Sequence, residues 1–355
     1  MILQLNMSKN KQQLGQYFTT NYRYVLQGFS IPETVDQLIE PFCGNGDLLH
    51  FVPSPENYTI ERYDIEPTKE TIIQQDTIQN PPVYTNKFVI TNPPYLARNK
   101  SDTKELYDKY NTNDLYKCFI KELIAQGCVG GILIIPLNFW SSIRKSDIDL
   151  RRQFLHRFRL IRLNIFEERV FEDTSYTVCS FQFELADPIV APSSITANIY
   201  PINKRIETVL SDANQYMIGG EIYQLPLRNQ YKINRLTSKT VGIPPTNILV
   251  KCIDDNADNQ ISLSIVSDND IYIDNTPNLS ARTYATLVIQ PAISVERQKK
   301  LVHDFNMFLA AKREKYNSLF LTNYRESKDI ARKRISFDLV YQIVEFILDG
   351  NDIRE

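Results

Sequence analysis

The chain has 355 residues, 43% hydrophobic and 23% charged, with a formal net charge of −2, which is ordinary for a globular protein and enough for a sizeable core and two domains. No apolar run approaches the roughly 20 residues needed to span a bilayer. The opening Met1–Lys9 is too short and polar for a signal peptide, so a soluble intracellular protein with no membrane partner is expected. Five cysteines (Cys43, Cys118, Cys128, Cys179, Cys252) have no paired spacing and the histidines are scattered, which suggests neither a metal site nor a disulfide framework.

In chain order, the first 185 or so residues alternate strand-like and helix-like segments. Strand-like runs are Gln37–Phe42, Tyr58–Asp64, Phe88–Thr91, Gly131–Pro136, Leu160–Phe166 and Thr177–Leu185. Between them, Asp114–Gln126 puts Leu115, Phe119, Ile120, Leu123 and Ile124 on one helical face, with Asn113 or Asp114 able to cap it and Gly127 to end it. Asp147–Phe158 is a second amphipathic helix, burying Leu150, Phe154 and Phe158. Such alternation implies an α/β fold: a mostly parallel sheet covered on both faces, with Thr177–Leu185 at an antiparallel edge. After Ala186 the texture changes. Pro188, Pro192, Ser193 and Ser194 mark a boundary, giving domains 1–188 and 189–355. The second part holds short strands (Ala197–Pro201, Asn247–Lys251, Ala285–Ile289) and two long helical stretches, about Ser294–Phe320 and Asp329–Leu348. Charge is uneven: Asp254–Asp274 is acidic, while Ala281–Arg334 carries 12 Lys and Arg against 5 Asp and Glu. A basic face of this kind suits a polyanion, or is simply a solvated helical face.

Chemistry-bearing residues cluster at predicted strand ends. Leu14-Gly15-Gln16-Tyr17-Phe18-Thr19-Thr20 comes first, then Glu40-Pro41-Phe42-Cys43-Gly44-Asn45-Gly46-Asp47. Glycines after a first strand let a ligand lie against bare backbone, in the crevice where doubly wound sheets bind cofactors. The spacing lacks the third glycine of a dinucleotide fingerprint, and taken alone it fits a plain strand-to-helix turn equally well. Asp64, about 20 positions on, can take ribose hydroxyls or be a surface strand end. Thr91-Asn92-Pro93-Pro94-Tyr95 is more specific. Two prolines stop strand pairing and stiffen the backbone, aiming the Asn92 side-chain oxygen and the Pro93 carbonyl at one point. Together they can accept both hydrogens of an exocyclic NH2, localising the nitrogen lone pair and favouring the positive charge that develops there. Tyr95 offers a face for a planar base.

On these motifs the chain resembles DNA adenine-N6 methyltransferases of the gamma arrangement, whose QYFT-type motif and cofactor loop precede NPPY and whose target-recognition region is C-terminal. The likeness spans Leu14–Leu185. Leu115-Tyr116 with Phe119, Gly130–Trp140, and Val170-Phe171 through Val178 look like the family's later motifs. It implies a Rossmann-like doubly wound methyltransferase sheet, a C-terminal α+β target-recognition domain and S-adenosyl-L-methionine as cofactor. Carried over by position, Thr19 and Glu40 would hold the methionine end of the cofactor. Phe42, Gly44 and Gly46 would form its backbone cradle, with Asp64 on the ribose and Asp76 on the adenine amine. Ile65, Pro94 and Phe119 would line the adenine pocket. Asn92, Pro93 and Tyr95 would hold the target base, and Phe171 would pack on its other face or serve as a core aromatic. Thr20 stands where the family often has proline.

The reaction implied is direct SN2 transfer to N6 of an adenine flipped out of double-stranded DNA. Phosphate contacts would come from the loop Arg98–Lys104 and from Lys299, Lys300, Arg313, Arg332, Lys333 and Arg334. The chain is similar to enzymes of bacterial restriction–modification systems and of large algal DNA viruses. That places it in a bacterial cytoplasm or a virus-infected host, with a companion restriction endonuclease as a further partner. The rivals are a protein-glutamine or RNA methyltransferase, a methyltransferase acting on cytosine's exocyclic amine, and a non-catalytic DNA-binding relative.

Overall fold

A computed structural model describes residues 19–171, 176–186, 194–240, 242–254, 260–274, 284–323 and 332–351. The chain divides into two compact units: Met1–Phe139 with Arg144–Leu210, and Trp140–Ile143 with Ser211–Glu355.

The first unit is built on strands β1 (Gln37–Glu40), β2 (Thr59–Asp64), β3 (Ile73–Gln74), β4 (Phe88–Thr91), β5 (Gly130–Pro136), β6 (Phe158–Phe166), β7 (Val178–Leu185), β8 (Ile195–Tyr200) and β9 (Lys204–Thr208). They form one sheet in the order β3-β2-β1-β4-β5-β7-β6-β8-β9. Strands β3, β2, β1, β4 and β5 run parallel. Every residue of β4 and β5 is buried, as expected for near-continuous apolar strands covered on both faces. The order reverses between β1 and β4, so the crevice at their carboxyl ends is the topological switch point where such sheets hold ligands.

Helices α1 (Glu105–Tyr110), α2 (Leu115–Gln126) and α3 (Lys145–Arg157) are the longest helices of the unit. Helix α2 follows the expected apolar stripe, starting after Asp114 and ending at Gly127, whose φ of +79° suits glycine. Lys117 on α2 and Asp147 on α3 form a buried ion pair at 2.6 Å.

Two expectations are corrected by the sheet. The antiparallel strand β7 is interior: it pairs with β5 on one side and β6 on the other, and β9 is the antiparallel edge. The first unit also continues past residue 188, because β8 runs parallel to β6 and β9 returns beside β8. Ala197, Ile199 and Ile206 bury their side chains there, carrying the unit to Leu210. The 188–193 segment expected to be a linker lies outside the described residues.

The second unit is α+β. Its strands are β10 (Lys232–Arg235), β11 (Ile248–Lys251), β12 (Ile253–Asp254), β13 (Ser262–Ile265), β14 (Tyr284–Gln290), β15 (Thr322–Asn323) and β16 (Lys333–Arg334). An antiparallel sheet β10-β14-β11-β13 stands with a small sheet β12-β16-β15 and helices α4 (Val295–Tyr316) and α5 (Phe337–Leu348). The Asn306 amide of α4 donates to the Leu263 carbonyl and accepts from the Leu263 N–H, both at 2.9 Å, satisfying backbone groups of edge strand β13. Both helices are shorter than their apolar patterns. Asn317 at φ +51° turns the chain after α4. Lys333 and Arg334 pair as β16 before Ser336 caps α5 by accepting from Leu339 N–H. No helix among the described residues is long and apolar enough to cross a membrane.

Candidate active site

At the carboxyl end of β1, two left-handed glycines, Gly44 (φ +53°) and Gly46 (φ +80°), turn the chain twice within three residues. The loop is pinned to β2. Cys43 N–H donates to the Tyr63 carbonyl at 2.8 Å and Gly44 N–H to Asp64 Oδ2 at 2.7 Å. Asp64 Oδ1 accepts from Glu66 N–H at 2.8 Å. Lys69 Nζ donates to the Asn45 carbonyl at 2.7 Å. Beyond β3, Asp76 Oδ1 accepts from the N–H groups of Ile78 and Gln79, and Thr77 Oγ1 donates to the Pro41 carbonyl at 2.8 Å. Strand pairing and turn bonds thus fix three carboxylates, Glu40, Asp64 and Asp76, around one cavity.

That cavity is about 220 Å³. Of the residues expected to bind a cofactor, Thr19, Glu40, Phe42, Gly44, Asp64, Ile65 and Asp76 line it, and so do Asn92 and Pro94 of the proline corner after β4. Glu40 is 1% exposed, and its Oε2 is buried with no hydrogen-bond partner. Burial pushes its carboxyl well above the usual carboxylate range; Asp47 and Asp64 add to the rise, while the Cys43 thiol and Arg62 oppose it. An orphaned acidic oxygen in a cavity wall calls for a cation or a strong donor.

Asn92 is buried at that corner, and its Nδ2 donates to Thr19 Oγ1 at 3.0 Å. Tyr95 lies differently from the expectation. It is 2% exposed, edge-on to Tyr116 and Tyr176 with ring centroids 6.1 Å away in each case. Its hydroxyl donates to the Ile134 carbonyl at 2.7 Å and lies within hydrogen-bonding reach of Asn92 Oδ1. Pinned at the hydroxyl and hemmed by two rings, Tyr95 presents no open stacking face here.

Two further cofactor-binding expectations are revised, at Phe119 and Gly46. Phe119 is 1% exposed and stands edge-on to Phe42 at 5.1 Å, so it buttresses a wall residue and does not line the cavity. Gly46 and Pro93 also lie off the lining; Gly46 supplies the turn before Asp47. Phe171 is 5% exposed and its carbonyl accepts from Arg169 Nε, but residues 172–175 beside it lie outside the described residues. So does Leu14–Phe18, leaving Thr19 and Thr20 from the first motif.

Sequence reasoning missed the far wall. Ser101, Thr103, Leu106 and Tyr107 come from the segment that follows the corner, with Leu96 and Leu115 beside them. Tyr107 hydroxyl donates to the Leu96 carbonyl at 2.9 Å, and Leu115 N–H donates to the same oxygen at 3.2 Å. The unbroken polar run 98–105 carries no periodicity that would have revealed this. Asp47 and Cys43 were missed too, although they sit inside the motif.

The basic residues separate by burial. Lys299 and Lys300 are exposed, and Lys300 also pairs with Asp304 on the same helix at 2.5 Å. Arg313 is largely buried in its pair with Asp254 at 3.0 Å, and Lys333 is 7% exposed. Those two are structural. In the loop after the corner, Lys104 Nζ donates to the carbonyls of Arg98 and Ser101, while Arg98 pairs with Asp108 at 2.8 Å.

A reversed α/β sheet with an acidic, glycine-turned cavity at its switch point defines the class of fold and site that hold nucleoside cofactors. Residues 55–171 match the model of the Eco57I restriction-modification methylase family. S-adenosyl-L-methionine is the cofactor implied by a methylase region of this type. Similar solved structures include the modification subunit assigned to a type I restriction enzyme of Vibrio vulnificus YJ016, at 13% identity and a TM-score of 0.41, covering 56% of this chain and 50% of that one. The type I restriction-modification methyltransferase subunit of Streptococcus thermophilus is similar at 12% identity and a TM-score of 0.40, covering 57% and 53%. This chain spans about half the length of each. No curated protein sequence matches it.

Proposed function

We propose that the chain is a site-specific DNA methyltransferase, transferring a methyl group from S-adenosyl-L-methionine to N6 of adenine in a short double-stranded site. The observation that carries this reading is that Asn92, at a double-proline corner, shares one cavity with Glu40, Gly44 and Asp64. The orphaned Glu40 oxygen fits the cationic amino-acid end of the cofactor, and Asp64 and Asp76 fit the hydroxyls and amine of its nucleoside. Phe42, Ile65, Ile78 and Leu96 supply apolar walls for a purine.

When bound, the cofactor supplies an electrophilic methyl group on a sulfonium. The Asn92 side-chain oxygen and the Pro93 carbonyl accept the two hydrogens of the target amine and so aim its lone pair. Because the corner is rigid, these dipoles need no reorganisation as positive charge grows on nitrogen. The buried site excludes a duplex base, so the target must be extruded at a cost of a few kcal/mol. Stacking can offset part of that cost at roughly 1–3 kcal/mol per aromatic contact. Tyr95 contributes such a face only once its packing against Tyr176 opens. The proton lost from nitrogen passes to water after transfer.

The second unit would read the target sequence, with exposed Lys299 and Lys300 and the loop from Arg98 to Lys104 contacting phosphates. A companion endonuclease fits the restriction–modification setting.

The reading is tested by single-molecule sequencing of DNA from cells expressing the chain. N6-methyladenine in one short context is expected. Asn92→Ala should lower transfer about 10²- to 10³-fold while DNA binding persists. Unmodified DNA, with labelled methyl groups appearing in RNA or protein, would overturn it.

A further inference from the structure

The cavity wall holds a second acidic oxygen that no expectation assigned. Asp47 follows Gly46, whose left-handed turn starts a short helical segment, Asp47–Phe51. An acid at the start of a helical turn is ordinarily solvated. Here Asp47 lines the cavity, and its Oδ2 is buried with no hydrogen-bond partner, just as Glu40 Oε2 is. Beside Gly46, the Lys69 ammonium donates to the Asn45 carbonyl.

We infer that Asp47 is a second carboxylate ligand, beside Glu40, for the α-ammonium group of the cofactor's amino-acid end. Two buried acidic oxygens on residues of one cavity wall are suited to a cation with several N–H donors, and an ammonium supplies three. Of the pair, Glu40 is the one that burial drives toward its neutral form. The inference rests on the methyltransferase reading but goes beyond it, because it names which end of the cofactor Asp47 holds.

The test is isothermal titration calorimetry of the full chain with three probes. S-adenosylmethionine and S-adenosylhomocysteine both carry the ammonium; 5′-methylthioadenosine lacks the amino-acid end. Asp47→Asn keeps the shape and one acceptor, and its fold is checked by its melting curve. It should bind the first two probes about 10- to 100-fold more weakly, as expected for loss of a hydrogen bond to a charged group, and methylthioadenosine as the wild type does. Asp47→Ala and Glu40→Gln should follow the same pattern. Equal weakening of all three probes would make Asp47 a structural residue and overturn the inference, and so would wild-type affinity for S-adenosylmethionine. A wild-type chain that binds none of the probes would instead overturn the methyltransferase reading, and the inference with it.

Discussion

Glu40 shows how one residue can be costly to the empty fold and useful to the loaded one. Its folded carboxyl titrates well above the 4.5 of a free side chain, chiefly through burial. The native state therefore holds a proton that the unfolded chain releases, so this group lowers stability progressively as pH rises from about 4.5 toward its folded value. Below that window both states are protonated and the penalty vanishes. Glu40→Gln should melt with the wild type near pH 4 and above it by a margin that grows toward neutrality. It should also lose the added stabilisation conferred by S-adenosylmethionine. Thermal melts over a pH series measure both, and a margin independent of pH would refute the assignment. The residue was legible because its place before the glycine turn is stereotyped. Tyr95 was not: no local pattern records that its hydroxyl reaches Ile134, 39 positions away.

At the level of elements, apolar periodicity located β4, β5 and α2 to within a residue or two, because burial on one or both faces dictates their composition. The two-residue strands β12, β15 and β16 were invisible, since their pairing is set by register and not by pattern. The tie between α2 and α3 escaped for the same reason: lysine on a helix reads as solvated, yet Lys117 and Asp147 are only 6% and 5% exposed at the side chain. Arg151, fully buried and donating to the Phe139 carbonyl at 2.8 Å, also leans on the charge of Asp147, while burial lowers its own pKa to about 10. Asp147→Ala should cost about 3–5 kcal/mol, because it strands buried cations. The paired replacement Lys117→Met with Asp147→Leu should cost less, because only Arg151 is then left without the charge of Asp147. Denaturant unfolding of both variants gives the comparison, and equal losses would show that the unpaired lysine does not set the cost.

On the scale of the whole molecule, the alternating strands and helices made an α/β fold readable, and the cofactor half of the site with it, since that half is built from loops at strand ends. The extent of the sheet was not readable. Proline and serine at 188–194 resemble a boundary, and the strands that follow are short, half-polar and indistinguishable from those of a separate module. Their membership is decided by hydrogen bonds to β6, a strand some 30 residues earlier.

The join of β8 to β6 sets where this protein can be cut. A fragment ending at residue 188 would strip five parallel register pairs from β6 and leave that strand's N–H and C=O groups open to any passing chain. Such a fragment should come out in inclusion bodies or as high-mass species on size-exclusion chromatography. One ending at Leu210 keeps its antiparallel hem and should elute as a discrete, folded species. Equal solubility of the two pieces would mean that the last two strands are ornament to the sheet and not its selvedge.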